Sequence, residues 1–160
     1  MEQYIQPFID VTKSTFRDFA RVEIVTGRPF FQQKDTANEW DISGVIGLNG
    51  EARGAVVIGM KSALAIELTD MITGTKHSSI DDEVVDAVGE IVNIISGNAK
   101  KGLEETFRLV ISLPTIVEGR GHLIKWPHEQ ARIICIPFNI FESETLALSV
   151  AIESLKGGTG

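Results

Sequence analysis

The stretch Ser79-Ile-Asp-Asp-Glu-Val-Val-Asp-Ala-Val-Gly-Glu-Ile-Val-Asn-Ile-Ile-Ser-Gly-Asn-Ala-Lys-Lys-Gly102 decides how the rest of the chain is read. Val84, Val88, Ile91, Ile95 and Ala99 recur every three or four residues, and Val85, Val92 and Leu103 widen the stripe. One side of a helix over about 81–104 therefore faces a core. Ser79, Asp81 or Asp82 can cap its start. The acidic residues at 81–83 suit the positive end of the helix dipole, and Lys100, Lys101 and Gly102 suit its negative end and a stop.

Before this helix, residues 4–25 read as a first amphipathic helix through Ile5, Phe8, Ile9, Thr12, Phe16, Phe19 and Ala20, stopped by Gly27-Arg-Pro29. Residues 30–41 read as a polar loop or edge segment. Ile42–Leu48 and Gly54–Met60 are β-rich runs around an Asn49-Gly50 turn, which predicts a hairpin. Lys61–Thr73 reads as a short helix ending at Gly74. After it come three β-like runs, 108–115, 132–140 and 145–154, the second starting as early as 122–126. The order predicts one α+β domain over 1–154, an antiparallel sheet covered by helices, with a hint of a duplicated helix-plus-strands unit. Residues 155–160 are expected to form a disordered tail.

A chain of 160 residues, 43% hydrophobic and 23% charged, has the composition of a globular protein with a sizeable core. Its formal charge of −7, with no Lys/Arg cluster to override the sign, counts against nucleic acid or an anionic membrane as partner. No apolar run reaches the length of about 18 residues needed to span a bilayer, and Met1-Glu-Gln-Tyr4 has no signal-peptide character. A cytoplasmic location is expected. Cys135, the only cysteine, lies in an apolar run and reads as a buried, inert thiol. His77, His122 and His128 stand apart, outside any ligand spacing, so no metal site is expected. No phosphate-binding glycine loop and no serine-nucleophile motif is present.

What remains is the polar face of the helix over 81–104. At about 100° per residue, Asp86, Glu90, Asn93 and Gly97 fall within roughly 60° of one another, opposite the Val/Ile stripe. A face chosen for stability alone would hold Lys, Gln, Arg or Ala. Here Asn93 costs up to about 0.7 kcal/mol, and Gly89 and Gly97 about 0.8–1.0 kcal/mol each, relative to Ala. That concession makes sense if Gly97 lets another surface approach while Glu90 and Asn93, nearly one turn apart, reach into it. The helix over 4–25 offers Lys13, Ser14, Arg17, Asp18 and Arg21 instead, so if the chain has two halves only one bears a site.

The pattern Asp86-x-x-x-Glu90-x-x-Asn93, continued by Ile94-Ile95-x-Gly97-Asn98-Ala99-Lys100, resembles the signature of the CheC/CheX/FliY phosphatases of bacterial chemotaxis. Val45-Ile-Gly-Leu48 leading to Gly54-Ala-Val-Val-Ile-Gly59, and Leu113-Pro114-Thr-Ile-Val-Glu-Gly119, are also similar to that family. The resemblance thus covers most of residues 1–154. CheC typically carries two such helices, so the single copy here is more similar to the CheX branch; the spacing from Asn93 to Pro114 is slightly shorter than the CheC pattern.

The resemblance implies a CheC/CheX-like, pseudo-duplicated fold and a hydrolase that removes phosphate from the aspartyl-phosphate of a CheY-like response regulator in two-component signalling. By position, Asn93 would orient the attacking water and Glu90 would pair with the regulator's active-site lysine. Asp86, Gly97 and Lys100 are the accompanying candidate partner contacts, Asp86 either fixing a Lys or Asn of its own helix or being simply solvated. Asn98 is expected to make a structural hydrogen bond. No cofactor of the protein's own is implied; Mg²⁺ would be bound by the partner. Homodimers through the sheets are expected of CheX-type proteins, with 132–140 or 145–154 offering an edge. The competing reading is a non-catalytic adaptor on the same fold, as in the flagellar switch protein FliM, and fold alone does not choose between them.

Overall fold

The computed structural model describes residues 2–33, 39–126 and 132–155. In chain order these form α1 (Glu2–Ala20), β1 (Val25–Thr26), β2 (Phe30–Gln32), β3 (Ile42–Gly50), β4 (Ala52–Met60), α2 (Ser62–Thr73), α3 (Asp82–Leu103), β5 (Leu109–Ile111), β6 (Thr115–Glu118), β7 (Ile133–Ile140) and β8 (Glu144–Ser154). The expected hairpin is β3–β4, paired from Ile42↔Met60 to Leu48↔Gly54. α1 stops at Ala20 rather than near 25. Arg21 turns left-handed at φ 56°, and the Val22 amide donates to the Phe16 carbonyl at 3.1 Å. A glycine would have advertised that turn; an arginine does not. The single strand expected over 108–115 is divided into β5 and β6, because Pro114 has no N–H for a ladder and three residues, 112–114, stand against only Ile46 and Gly47 of β3, Ser112 keeping its bond to Gly47. No strand is formed over 122–126. Of the expected tail, Leu155 donates its amide to the Glu51 carbonyl at 2.8 Å, and 156–160 lie outside the described residues.

All strand pairs are antiparallel. The sheet order is β1–β7–β8–β4–β3–β5, with β2 also on β7 and β6 also on β3. Read from either end the pattern is the same: a pair of short edge strands, one long strand, then the central pair β8–β4. The units α1–β1–β2–β3–β4 and α3–β5–β6–β7–β8 are therefore equivalent halves, joined by α2, and each lends its short strands to the long strand of the other. This order corrects the expected dimer edges. β8 lies between β7 and β4, and β7 between β8 and the β1/β2 pair, so neither is free. Their near-continuous apolar character is that of central strands buried on both faces.

Alternate residues of the long strands, among them Ile46, Ile58, Ile136, Phe138 and Leu148, share one core with Phe8 and Phe16 of α1, Leu64 and Leu68 of α2, and the apolar stripe of α3. α3 sits close to the sheet because Gly44 of β3 has no side chain: a Cβ there would lie 3.0 Å from Val92 Cγ1. Side chains fix where α2 and α3 begin. Asp41 reaches across to accept the Ser62 amide at 2.7 Å, supplying the α2 cap that Lys61 cannot, and that bond holds its carboxyl below the usual range. Asp81 caps α3 by accepting the Val84 amide at 3.0 Å. His77, its side chain only 3% exposed, ties the two helices together: Nδ1 is 2.8 Å from Asp70 of α2 and Nε2 is 3.5 Å from Glu83 of α3. The Asp70 hydrogen bond, reinforced by Glu83, raises the imidazole pKa against its desolvation. The same bond lowers Asp70.

Candidate functional site

α3 presents the row that its periodicity predicts. Val84, Val88, Ile91, Val92, Ile95, Ala99 and Leu103 are buried, as the stripe requires. On the opposite side Asp86 and Glu90 are exposed, and Asn93, Gly97 and Lys100 are half-buried. Asp86 and Glu90 are like charges at i,i+4, which costs the helix a further few tenths of a kcal/mol, about 0.2–0.5. Among the described residues, no hydrogen bond or ion pair engages the side chains of Asp86, Glu90 or Asn93. The carboxylates and carboxamide are thus open to an incoming group, and the paired negative charge suits a cation. Lys100 is committed more loosely, its Nζ lying 3.8 Å from the exposed Glu104 in an i,i+4 pair.

α3 has three glycines: Gly102, expected to stop the helix, lies within it beside Pro7 of α1, and Gly89 and Gly97 differ in what surrounds them. No atom lies within 4 Å of where a Gly97 Cβ would stand, so that position faces open space. Gly89 is buried, and a Cβ there would touch Ile116 Cδ1 at 3.6 Å and Pro114 Cγ at 3.7 Å. It faces the β5–β6 kink and not the open row, and these are ordinary contact distances that would admit an alanine. The stability conceded for the row is therefore that of Asn93 and Gly97, at most about 1.7 kcal/mol. On the other flank, α1 and α3 enclose a groove of about 240 Å³ lined by Ser14, Thr15, Asp18, Phe19, Ile94 and Asn98. Asn98 is exposed on this groove and its side chain makes no hydrogen bond among the described residues, in place of the structural bond expected of it.

Besides the His77 contacts, a second polar pairing escaped the sequence. Ser43 Oγ lies 2.7 Å from His122 Nε2, and His122 Nδ1 lies 2.7 Å from the Gly119 carbonyl. A carbonyl only accepts, so Nδ1 carries the proton and Nε2 accepts from the Ser43 hydroxyl. The arrangement has the connectivity of a nucleophile and base, but Ser43 is fully buried in β3 and no substrate reaches it. It clasps the turn after β6 to the sheet. Cys135 is buried as expected, and burial pushes its thiol pKa up. Among the described residues, no group of three or more His, Cys, Asp or Glu side chains could hold a metal ion, and no helix is long and apolar enough to cross a membrane.

Comparison with known proteins places the chain as a whole. Residues 42–139 match the family Chemotaxis phosphatase CheX. The chain is 27% identical over 156 residues to the CheY-P phosphatase CheX of Thermotoga maritima, an alignment covering 94% of this chain and 96% of that one. The crystal structure of chemotaxis protein CheX from Vibrio vulnificus is similar with a TM-score of 0.85 at 29% identity, over 94% of this chain and 99% of that one. A chain in the crystal structure of the CheX–CheY–BeF3–Mg2+ complex from Borrelia burgdorferi is similar with a TM-score of 0.81 at 25% identity, over 94% and 98%. With more than half its length matched to the family and near end-to-end likeness to three of its members, the chain belongs to the CheX chemotaxis phosphatases of the CheC-like superfamily.

Proposed function

We propose that this protein hydrolyses the aspartyl-phosphate of a CheY-like response regulator, with α3 inserted at the regulator's phosphorylated site. The observation that carries the reading is Asn93 and Glu90, both without partners in the described chain, on an open row beside the clearance at Gly97. The names of the Thermotoga and Borrelia relatives support the choice of substrate. Phosphoryl transfer asks little covalent chemistry of a protein and depends on positioning and charge. The Asn93 carboxamide can accept from a water with Oδ1 and donate with Nδ2, holding it in line with the phosphorus. Glu90, one turn before it, pairs with the regulator's lysine and sets the depth and angle of docking. Neither group needs to titrate. A hundredfold acceleration corresponds to about 2.7 kcal/mol, within reach of one positioned water.

Asp86 sits one turn before Glu90, so its charge adds to the potential that the lysine meets, and Lys100 at the far end is placed for an acidic group of the regulator. On this reading the protein carries no cofactor of its own. Mg²⁺ belongs to the regulator, where it neutralises phosphoryl charge. The protein acts in the cytoplasm as a homodimer, joined through the β1/β2 edge, where Val25, Phe30 and Phe31 are exposed, or through the β5/β6 edge. An adaptor on the same fold would bind the regulator without speeding loss of phosphate. Decay of labelled phospho-regulator and pull-down of the same regulator, measured side by side, separate the two: accelerated decay supports the phosphatase, and binding at the unassisted decay rate selects the adaptor.

A further inference from the structure

We infer that Leu113 is the apolar anchor on which the phosphorylated receiver domain docks beside the α3 row; this rests on the reading of α3 given above. The row of Asp86, Glu90, Asn93, Gly97 and Lys100 offers chemistry but no apolar side chain. Polar contacts made there exchange bonds to water for bonds to protein, at small net gain. Stable recognition draws most of its energy from a few apolar or aromatic anchors that become buried. The chain supplies one at the flank of the row. Leu113 is 86% exposed, the most of any large hydrophobic side chain among the described residues.

A lone exposed leucine is ordinary on a protein surface. Leu113 differs in having its backbone held in place and in standing next to the site. Ser112 Oγ accepts the Gly47 amide at 2.8 Å, and its hydroxyl donates to the Leu113 carbonyl at 3.0 Å. Pro114 fixes its own φ and packs where a Gly89 Cβ would meet it at 3.7 Å. Gly89 lies three residues after Asp86 and four before Asn93, so the kink meets the helix at the middle of the row. An anchor whose backbone is already fixed loses less freedom on docking than one on a free loop. The occupant is the receiver and not a second copy of this chain, because a sheet-edge dimer pairs through continuous strand backbone, and Leu113 stands in the break between the β5 and β6 pairings with β3.

The test is steady-state dephosphorylation of the phospho-regulator by Leu113→Ala and Leu113→Ser, with sedimentation of each variant and Asn93→Ala alongside. KM should rise at least about ten-fold, the size of effect that truncating an interface anchor gives, while kcat stays within about two-fold of wild type and the mass in solution is unchanged. A wild-type KM in both variants overturns the inference. So does a changed mass with unchanged KM, which assigns Leu113 to contact between copies of the chain. If Asn93→Ala loses kcat while the Leu113 variants behave as wild type, only the docking inference falls. If Asn93→Ala keeps full kcat, the α3 reading falls and takes this one with it.

Discussion

Replacing Gly97 with alanine should make the protein more stable and a poorer phosphatase. In a helix interior, Gly to Ala gains about 0.8–1.0 kcal/mol. Nothing subtracts from that gain here, because no atom lies within 4 Å of the new methyl and Gly97 is not among the positive-φ glycines. For a chain of this size the melting temperature should rise by about 2–4 °C. The methyl would stand about 1.5 Å out from the backbone, on the surface that the regulator must approach. A misplacement of about 1 Å in a reaction that depends on positioning can cost on the order of a hundredfold. Thermal unfolding followed by circular dichroism, and decay of phospho-regulator, read the two effects independently. Gly89→Ala is the control: its methyl would meet Ile116 and Pro114 at ordinary contact distance, so it should gain stability without losing activity. A Gly97→Ala protein that is stabilised and fully active would refute the idea that the regulator closes on α3 at this point.

Glu90→Gln keeps the shape of the side chain and removes its charge, so KM for the phospho-regulator should rise and become less sensitive to salt; an unchanged salt dependence would mean that Glu90 meets no cation. Asp41→Ala removes the α2 cap and should cost about 1 kcal/mol in urea unfolding, with Asp41→Asn recovering part of the loss through its side-chain carbonyl. His77 and Asp70 make stability depend on pH. The raised His77 pKa means its contribution is complete below the unfolded value of about 6.5 and fades as pH climbs through the higher folded value. The lowered Asp70 pKa means its contribution is complete above about 3.8 and fades as pH falls through the lower folded value. Wild type should therefore lose stability relative to His77→Asn between pH 6 and alkaline pH, and a flat difference across that range would remove the α2–α3 clasp.

The elements whose physics is local were legible in the sequence. The Val/Ile stripe, the Asp81 cap and the 3.6-residue period place α3 and its polar row, and alternation with Asn49-Gly50 gives the β3–β4 hairpin. Long-range and conformational features were not. Arg21 ends α1 by adopting a conformation its residue type seldom takes, and Pro114 splits one apparent strand through a missing N–H. The exchange of edge strands between halves leaves no period in the sequence, and it places β7 and β8 inside the sheet. At the site, residue types chose the row, but Gly89 could be told from Gly97 only by its neighbours. The His77 and Ser43 pairings depend on approaches between segments that no local pattern encodes.

Asn93→Ala provides the most direct test of the proposed chemistry. The Asn93 side chain makes no hydrogen bond among the described residues, so its truncation should leave the fold and the melting temperature close to wild type. With regulator at saturating concentration, the rate of aspartyl-phosphate loss should fall by about a hundredfold, toward the regulator's own decay, while pull-down of the regulator persists. Decay at the wild-type rate by a folded Asn93→Ala protein would contradict the assignment of Asn93 as the residue that positions water.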